Sequence, residues 1–352
     1  MKLWKNFTAS LRDLLVPLLA VLFGLLVGAL AMLWVGKNPL LAYSYLVEGV
    51  FGSVYGFGET LVDTIPLIFT GLAVAFAFRC GLFNIGVEGQ YMFATLIVAY
   101  VGVKWTWLPT PIHLVVTIVA GALAGGLWAG IPGVLKATRG VHEVINSIML
   151  NYIALYVVNY FVAGAFKAPN MQATPAVAPG IVLPKILPPS RAHAGIFIAV
   201  LAAVVVYWLL WRTTLGFQIR AVGHNLFAAE YAGISVPKNI VLAMVISGVL
   251  SGLAGASQIL GLSTRTFQYF GFPGFGFNGI AVALIGRNHP AGVVLGAFLF
   301  GILGRGSVTM QAADVPKQII AIVQASIIFF VAADEIIRWL LSRYRKEVVS
   351  RG

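Results

Sequence analysis

Polar side chains are rare in this chain, and the few that interrupt its apolar runs are concentrated in short stretches. Gly81-Leu82-Phe83-Asn84-Ile85-Gly86-Val87-Glu88-Gly89-Gln90 combines three glycines with Asn84, Glu88 and Gln90. Gly274-Phe275-Gly276-Phe277-Asn278-Gly279 repeats the Phe-Asn pair followed closely by glycine. Val141-His142-Glu143-Val144-Ile145-Asn146-Ser147 continues to Asn151 and Tyr152. The chemistry available to amides, one carboxylate and aromatic rings is hydrogen bonding and stacking, which recognises a polar solute without making or breaking its bonds.

Each of these groups has a second reading as a structural one. Glu88 can accept hydrogen bonds from a ligand; it can equally tie down the broken backbone around Gly86 and Gly89, or pair with Arg79. Asn84, Gln90 and Asn278 can bond a solute or join helices. Glu143, Asn146 and Ser147, at i, i+3 and i+4, share one helix face, and Asn151 with Tyr152 extends a polar strip along it. Such a strip suits a solute path, while Glu143 at its end suits capping of the helix N-terminus.

Bond-making chemistry has no such constellation. There is no G-x-x-x-x-G-K-[ST] run, so no nucleotide site of the Walker type. His113, His142, His193, His224 and His289 are scattered without metal-ligand spacing, and serine or cysteine nucleophile motifs are missing. Cys80 is the single cysteine, which rules out a disulfide framework. The sequence therefore predicts no catalytic residue, no metal and no cofactor.

The elements that position these residues are membrane helices. The chain of 352 residues is 60% hydrophobic and only 10% charged, more apolar sequence than a soluble domain can bury. The fold class is all-α, a polytopic membrane protein read as one transmembrane domain over 1–352. About ten spans are expected, near 14–35, 61–78, 84–103, 111–135, 143–163, 194–211, 240–261, 275–286, 291–304 and 318–340. Leu14 to Val35 is too long for a signal-peptide core and is read as a retained span. The net charge of +12 is spread through loops, which reports topology and anionic headgroups instead of nucleic acid. Of 23 Lys and Arg, fifteen fall on the side of the termini and eight opposite, which places both termini in the cytoplasm.

Two connections on the outer side are long, 36–60 and the proline-rich 164–193, the latter a lid, a ledge or a plain tether. On the inner side, 212–239 is the longest polar island. Within it Asn225 to Ala232 reads as a two-turn helix, capped by Asn225, ended by Gly233 and followed by Pro237. So short a helix needs a surface to lie on. Leu226, Phe227 and Tyr231 form apolar knobs beside Glu230, which suits a protein partner better than a membrane interface; a solvated connecting loop is the plain alternative.

By span count, the third span runs outward and the eighth inward. Spans 1–5 and 6–10 would then be inverted five-helix repeats with matching interruptions, a pattern that points to a substrate site in transporters. Taken together, R-C-G-L-F-N-I-G-V-E-G-Q at 79–90, H-E-V-I-N-S-I-M-L-N-Y-I at 142–153 and the A-A-E-Y-A-G-I-S-V loop within 223–236 resemble the permease subunits of bacterial ABC importers. The branch is that of simple sugars, branched-chain amino acids and, most closely, nucleosides. The resemblance spans about 60 to 340.

That resemblance implies a multi-pass subunit of the bacterial inner membrane. Its partners would be a second permease chain, identical or related, two ATP-binding subunits and an extracytoplasmic substrate-binding protein. The coupling role carries over onto Asn225, Leu226, Phe227, Glu230, Tyr231 and Gly233, seated in a groove of the ATPase. For a nucleoside solute, Phe83 and Phe277 would stack a base while Asn84, Glu88, Asn146 and Asn151 bond ribose hydroxyls, with Gln90 and Asn278 beside them. Other substrates left open are ribose-like sugars and branched-chain amino acids. The competing classes are an ion-coupled secondary transporter and a channel; against the first, Glu88 is the one acid near mid-span, with Asp63, Glu143 and Asp334 toward span ends, and against the second stands the coupling-type loop.

Overall fold

The computed structural model describes residues 19–311, 314–316 and 318–331. Among these residues the fold is helical, its only β pairing being two isolated bridges, Ala173 with Phe267 and Lys185 with His193. The helices are α1 (Leu19–Trp34), α2 (Pro39–Phe51), α3 (Val54–Arg79), α4 (Val87–Lys104), α5 (Thr110–Arg139), α6 (Glu143–Ala163), α7 (Gly195–Arg212), α8 (Thr214–His224), α9 (Leu226–Tyr231), α10 (Val236–Gln258), α11 (Phe275–Ile285), α12 (Pro290–Met310) and α13 (Gln318–Val331).

Six of the ten expected spans are helices long and apolar enough to cross a membrane: α3, α5, α6, α7, α12 and α10 with the π turn that extends it to Ser263. The 84–103 span is α4, 18 residues whose first turn carries the polar Glu88. The 275–286 span is α11, whose 11 residues reach only ~16 Å, about half of a hydrocarbon core. The outer ends of the 14–35 and 318–340 expectations, Leu14 to Leu18 and Ala332 to Leu340, lie outside the described residues.

The chain divides into two compact units. The first joins the N-terminal residues through Ser53 to those from Ile302 onward. Here 36–60 departs from a plain connection. Asn38 accepts from the backbone N–H groups of Leu40 and Leu41 and caps α2, with Pro39 pre-set in the first turn. Lys37 pairs with Asp314 at 2.5 Å. Gly49 packs against Thr309 and Gly306 against Leu46, glycines letting helices approach closely.

The second unit, Val54–Gly301, holds the candidate site. Its centre is α3, apolar all round and buried along most of its length, as an all-apolar helix must be. Against it lies α10, which also packs along α5 through Gly121, Gly125, Gly248 and Gly252. A methyl group on Gly125 would strike the Gly248 carbonyl, so the backbones meet with no side chain between them.

The proline-rich segment is a packed strap instead of a tether. Val177, Ile181 and Leu183 are buried against Val98, Ala256, Ile259 and Leu260. Its amides bond the irregular backbone that follows α10: Thr174 to Thr266 (2.9 Å), Val177 to Thr264 (2.9 Å) and Leu183 to Leu260 (2.8 Å). Prolines lower the entropy lost in fixing such an extended run.

Candidate functional site

The two glycine-rich interruptions come together in space. Glu88, fully buried in the first turn of α4, accepts hydrogen bonds from the amides of Gly274 (2.5 Å), Gly276 (2.5 Å) and Phe277 (3.3 Å). It thus supplies from a distant helix the cap that α11 lacks of its own, since the N-cap Gly274 has no side chain and sits at φ +90°. Gly276 is needed for the approach, because a Cβ there would fall 2.7 Å from the Glu88 Cα. The backbone partners of Glu88 are therefore none of those expected from the sequence. Glu88 bonds neither the Gly86–Gly89 backbone nor Arg79, whose Nε donates to the Asn288 carbonyl at 2.9 Å.

Amide side chains satisfy the first interruption itself. Asn84 Oδ1 accepts from the Gly86 amide (3.0 Å), while its Nδ2 donates to Gln90 Oε1 (3.1 Å) and Ser247 Oγ (2.9 Å). Asn151, from α6, accepts from the Gly89 amide at 2.8 Å and donates to the Ile85 carbonyl at 3.1 Å. Ser247 Oγ donates in turn to the Ala73 carbonyl of α3 at 2.6 Å. Asn84, Glu88 and Asn151 are each buried and each bond backbone groups that the broken helices leave open, with Gln90 holding Asn84 in place, which is how irregular backbone is tolerated inside a membrane helix bundle.

The polar strip expected on α6 points the same way. Glu143, Ser147 and Asn151 lie on its buried face, and Glu143 pairs with Lys136 of α5 at 2.8 Å. The face left open is aromatic, with Tyr152, Tyr156 and Tyr160, the last 74% exposed. Tyr152 meets Phe272 edge-on, and Phe272 meets Phe277, centroids 5.0 and 5.7 Å apart. Asn278 is exposed beside Phe277, and Phe270 is 93% exposed. Asn146 Nδ2 is buried with no hydrogen-bond partner. Phe83 is half-buried, its ring 5.1 Å from that of Phe78.

Of the expected pathway residues, then, Phe277 and Asn278 are exposed, while the unpartnered Asn146 amide is buried. Sequence reasoning missed Asn159, which bonds the Tyr269 backbone at both its amide and its carbonyl (2.8 Å each) and fixes the 264–274 segment to α6. It also missed Ser247 and the π turn Ile259–Ser263 that ends α10. The signal for Asn159 was its place eight residues beyond Asn151, on the helix already read for polar periodicity.

At the other end of the unit, the 212–239 island holds two short helices where one was expected. Thr213 caps α8 through the Gly216 amide at 3.1 Å. Asn225 caps α9 through Ala228 at 3.0 Å, and Gly233, at φ +78°, ends it. Pro237 lies in the first turn of α10, where its missing N–H does no harm. Ala229 is buried while Leu226, Glu230, Phe227 (82%) and Tyr231 (98%) stand exposed. A cleft of about 430 Å³ opens beneath α9, lined by Cys80, Gly81, Lys136, Glu143, His224 and Phe227 among others. No group of His, Cys, Asp and Glu able to hold a metal occurs among the described residues.

Comparison with known proteins agrees with this architecture. The chain is 45% identical over 347 residues to the guanosine ABC transporter permease protein NupP of Bacillus subtilis, covering 96% of this chain and 98% of that protein. It is 35% identical to the nucleoside ABC transporter permease protein NupB of Lactococcus lactis, over 94% of each. It is also 34% identical to the glucose ABC transporter permease protein TsgB13 of Haloferax volcanii, over 94% of this chain and 88% of that one. The family model for the branched-chain amino acid transport system / permease component matches residues 56–332. The chain belongs to that family and is a membrane permease subunit of an ABC transporter, a transport subunit rather than an enzyme, which works with separate ATP-binding and substrate-binding components.

Proposed function

We infer that this permease carries nucleosides inward, purine nucleosides such as guanosine first among them. The single observation that carries the substrate is the 45% identity to a guanosine permease over nearly the whole of both chains. The exposed aromatic face supports it: Tyr152, Tyr156, Phe272 and Phe277 offer rings to a base, and Asn278 offers its amide to ribose hydroxyls, with Asn146 the further candidate on α6. Glu88, Asn84, Gln90 and Asn151 act behind that face, holding the broken helices that shape it. A glucose-type sugar is the second reading, favoured by the 34% identity to a glucose permease.

The path forms between this face and a second permease chain, identical or related. The side of the 212–239 loop is cytoplasmic by the excess of Lys and Arg, and both termini lie there. There Asn225, Leu226, Phe227, Glu230, Tyr231 and Gly233 seat in one of two ATP-binding subunits, and a substrate-binding protein delivers solute from outside. ATP binding then shifts the balance of inward- and outward-open forms only by the difference in its affinity for the two. Cells lacking the chain should lose uptake of radiolabelled guanosine, with uridine competing and ribose or leucine not. Unchanged guanosine uptake with ribose or leucine transport lost would keep the permease and overturn the substrate.

A further inference from the structure

Two guanidinium groups of like charge gather about one tryptophan ring at the end of the second unit that carries the 212–239 loop. Arg79, the last residue of α3, and Arg220, on α8, both lie over the Trp211 ring, at 5.1 and 5.9 Å from its centroid. Tyr207 and His289 complete the cluster, 5.3 and 5.1 Å from Trp211. Arg79 is steadied by the carbonyls of Asn288 and Arg287, on a turn whose two residues have φ of 52° and 51°. Neither Arg79 nor Arg220 forms an ion pair with a carboxylate among the described residues, and Arg220 Nε is buried without a hydrogen-bond partner. Like charges held together without a counter-charge are unfavourable, so the cluster is incomplete as it stands.

The neighbouring helix says which counter-charge fits. Along α7 the buried face is Ala199, Ala203, Val206 and Leu210. The open face is Phe197, Leu201, Val204 and Trp208, an apolar stripe that runs directly to the cationic end at Trp211 and Arg212. Apolar stripe, aromatic belt and paired cations in that order match the acyl chains, interface and phosphate of a phospholipid. We propose that Arg79, Arg220 and Trp211 form a binding site for the phosphate of an anionic phospholipid whose acyl chains lie along α7. A soluble phosphate would have no use for the stripe, and a zwitterionic lipid would bring its own cation into a site already carrying two.

The test uses the full-length chain in neutral detergent, titrated with phosphatidylglycerol, phosphatidylcholine or inorganic phosphate while thermal unfolding is followed. Phosphatidylglycerol raises the Tm of the wild type, because a ligand of the folded state stabilises it by mass action. Arg220→Gln weakens that binding about five-fold, the worth of one basic residue at an anionic surface. Arg139→Gln, at the exposed end of α5, leaves it unchanged, and phosphatidylcholine and phosphate give no shift. An equal shift in Arg220→Gln, or an equal shift from phosphatidylcholine or from phosphate, overturns the site. Native mass spectrometry of the wild type provides a reading that needs no variant: phosphatidylglycerol retained in preference to phosphatidylcholine supports it, and equal retention contradicts it.

Discussion

Glu88 on α4 and Gly276 on α11 are joined by a hydrogen bond of 2.5 Å between residues 188 positions apart. One carboxylate thereby closes the N-terminus of a half-length helix that has no polar cap of its own. The two interruptions in the apolar sequence are in this way two halves of one joint.

Removing that joint should be costly. Glu88→Ala leaves the amides of Gly274, Gly276 and Phe277 without their acceptor, the Gly276 one buried, and should lower stability by on the order of 3 kcal/mol, seen as a lower Tm in detergent. Glu88→Gln keeps one acceptor oxygen but turns an NH₂ toward a backbone donor, and should fall between the two. Gly276→Ala, which pushes a methyl into Glu88, should cost about 1–3 kcal/mol. Wild-type Tm in all three would contradict the joint.

Asn159 copies a backbone donor and acceptor for Tyr269. Asn159→Ala should loosen the 264–274 segment, making it cleavable by added protease while the Tm falls by roughly 1–2 kcal/mol in equivalent stability. Asn159→Asp, which retains an acceptor only, should give a partial effect. Unchanged cleavage in Asn159→Ala would mean the strap from 164–193 fixes this segment alone.

The exposed knobs of α9 should matter to coupling and not to folding. Phe227→Ala, Tyr231→Ala and Glu230→Ala should leave the Tm within about 0.5 kcal/mol of wild type, as exposed sites do. Uptake should fall sharply, by ten-fold or more, with ATP hydrolysis by the partner subunits no longer tied to it. Wild-type uptake in all three would remove the coupling role from α9.

His193, in the strap before α7, is held neutral: burial lowers its pKa to about 4, and its Nδ1 accepts from the Gly195 amide at 3.2 Å. A folded pKa below the usual 6.5 means the unfolded chain takes up the proton first. The contribution is therefore fully present above pH 6.5 and is lost as pH falls toward 4, on the order of 3 kcal/mol in all. Tm measured from pH 7 to 4 should drop in the wild type more steeply than in His193→Gln. Parallel curves would show that His193 does not titrate with unfolding.

The helices were legible because membrane spans announce themselves by uninterrupted apolar length, and α9 because Asn225 and Gly233 bracket it with a cap and a stop. What the sequence hid is the direction in which polar groups face. Asn151 and Ser147 sit on the same turn spacing as a solute-lining strip would use, yet they face α4, and periodicity alone does not distinguish a buried face from a watered one. The partner of Glu88 was hidden for a related reason: local glycines at 86 and 89 offered amides nearby, while the amides it bonds come from a segment that only the fold brings within reach. The short α2 was masked by its place between two spans, although Asn38-Pro39 carries a helix-start signal.

The most direct measurement is solute accumulation in proteoliposomes containing this chain with its ATP-binding and substrate-binding components and the second permease chain proposed above. Guanosine should accumulate only when ATP is inside the compartment of the ATP-binding subunits, with uridine competing and ribose and leucine not. Accumulation driven by an ion gradient without ATP, or ATP-driven accumulation of ribose or leucine in place of guanosine, would contradict the account.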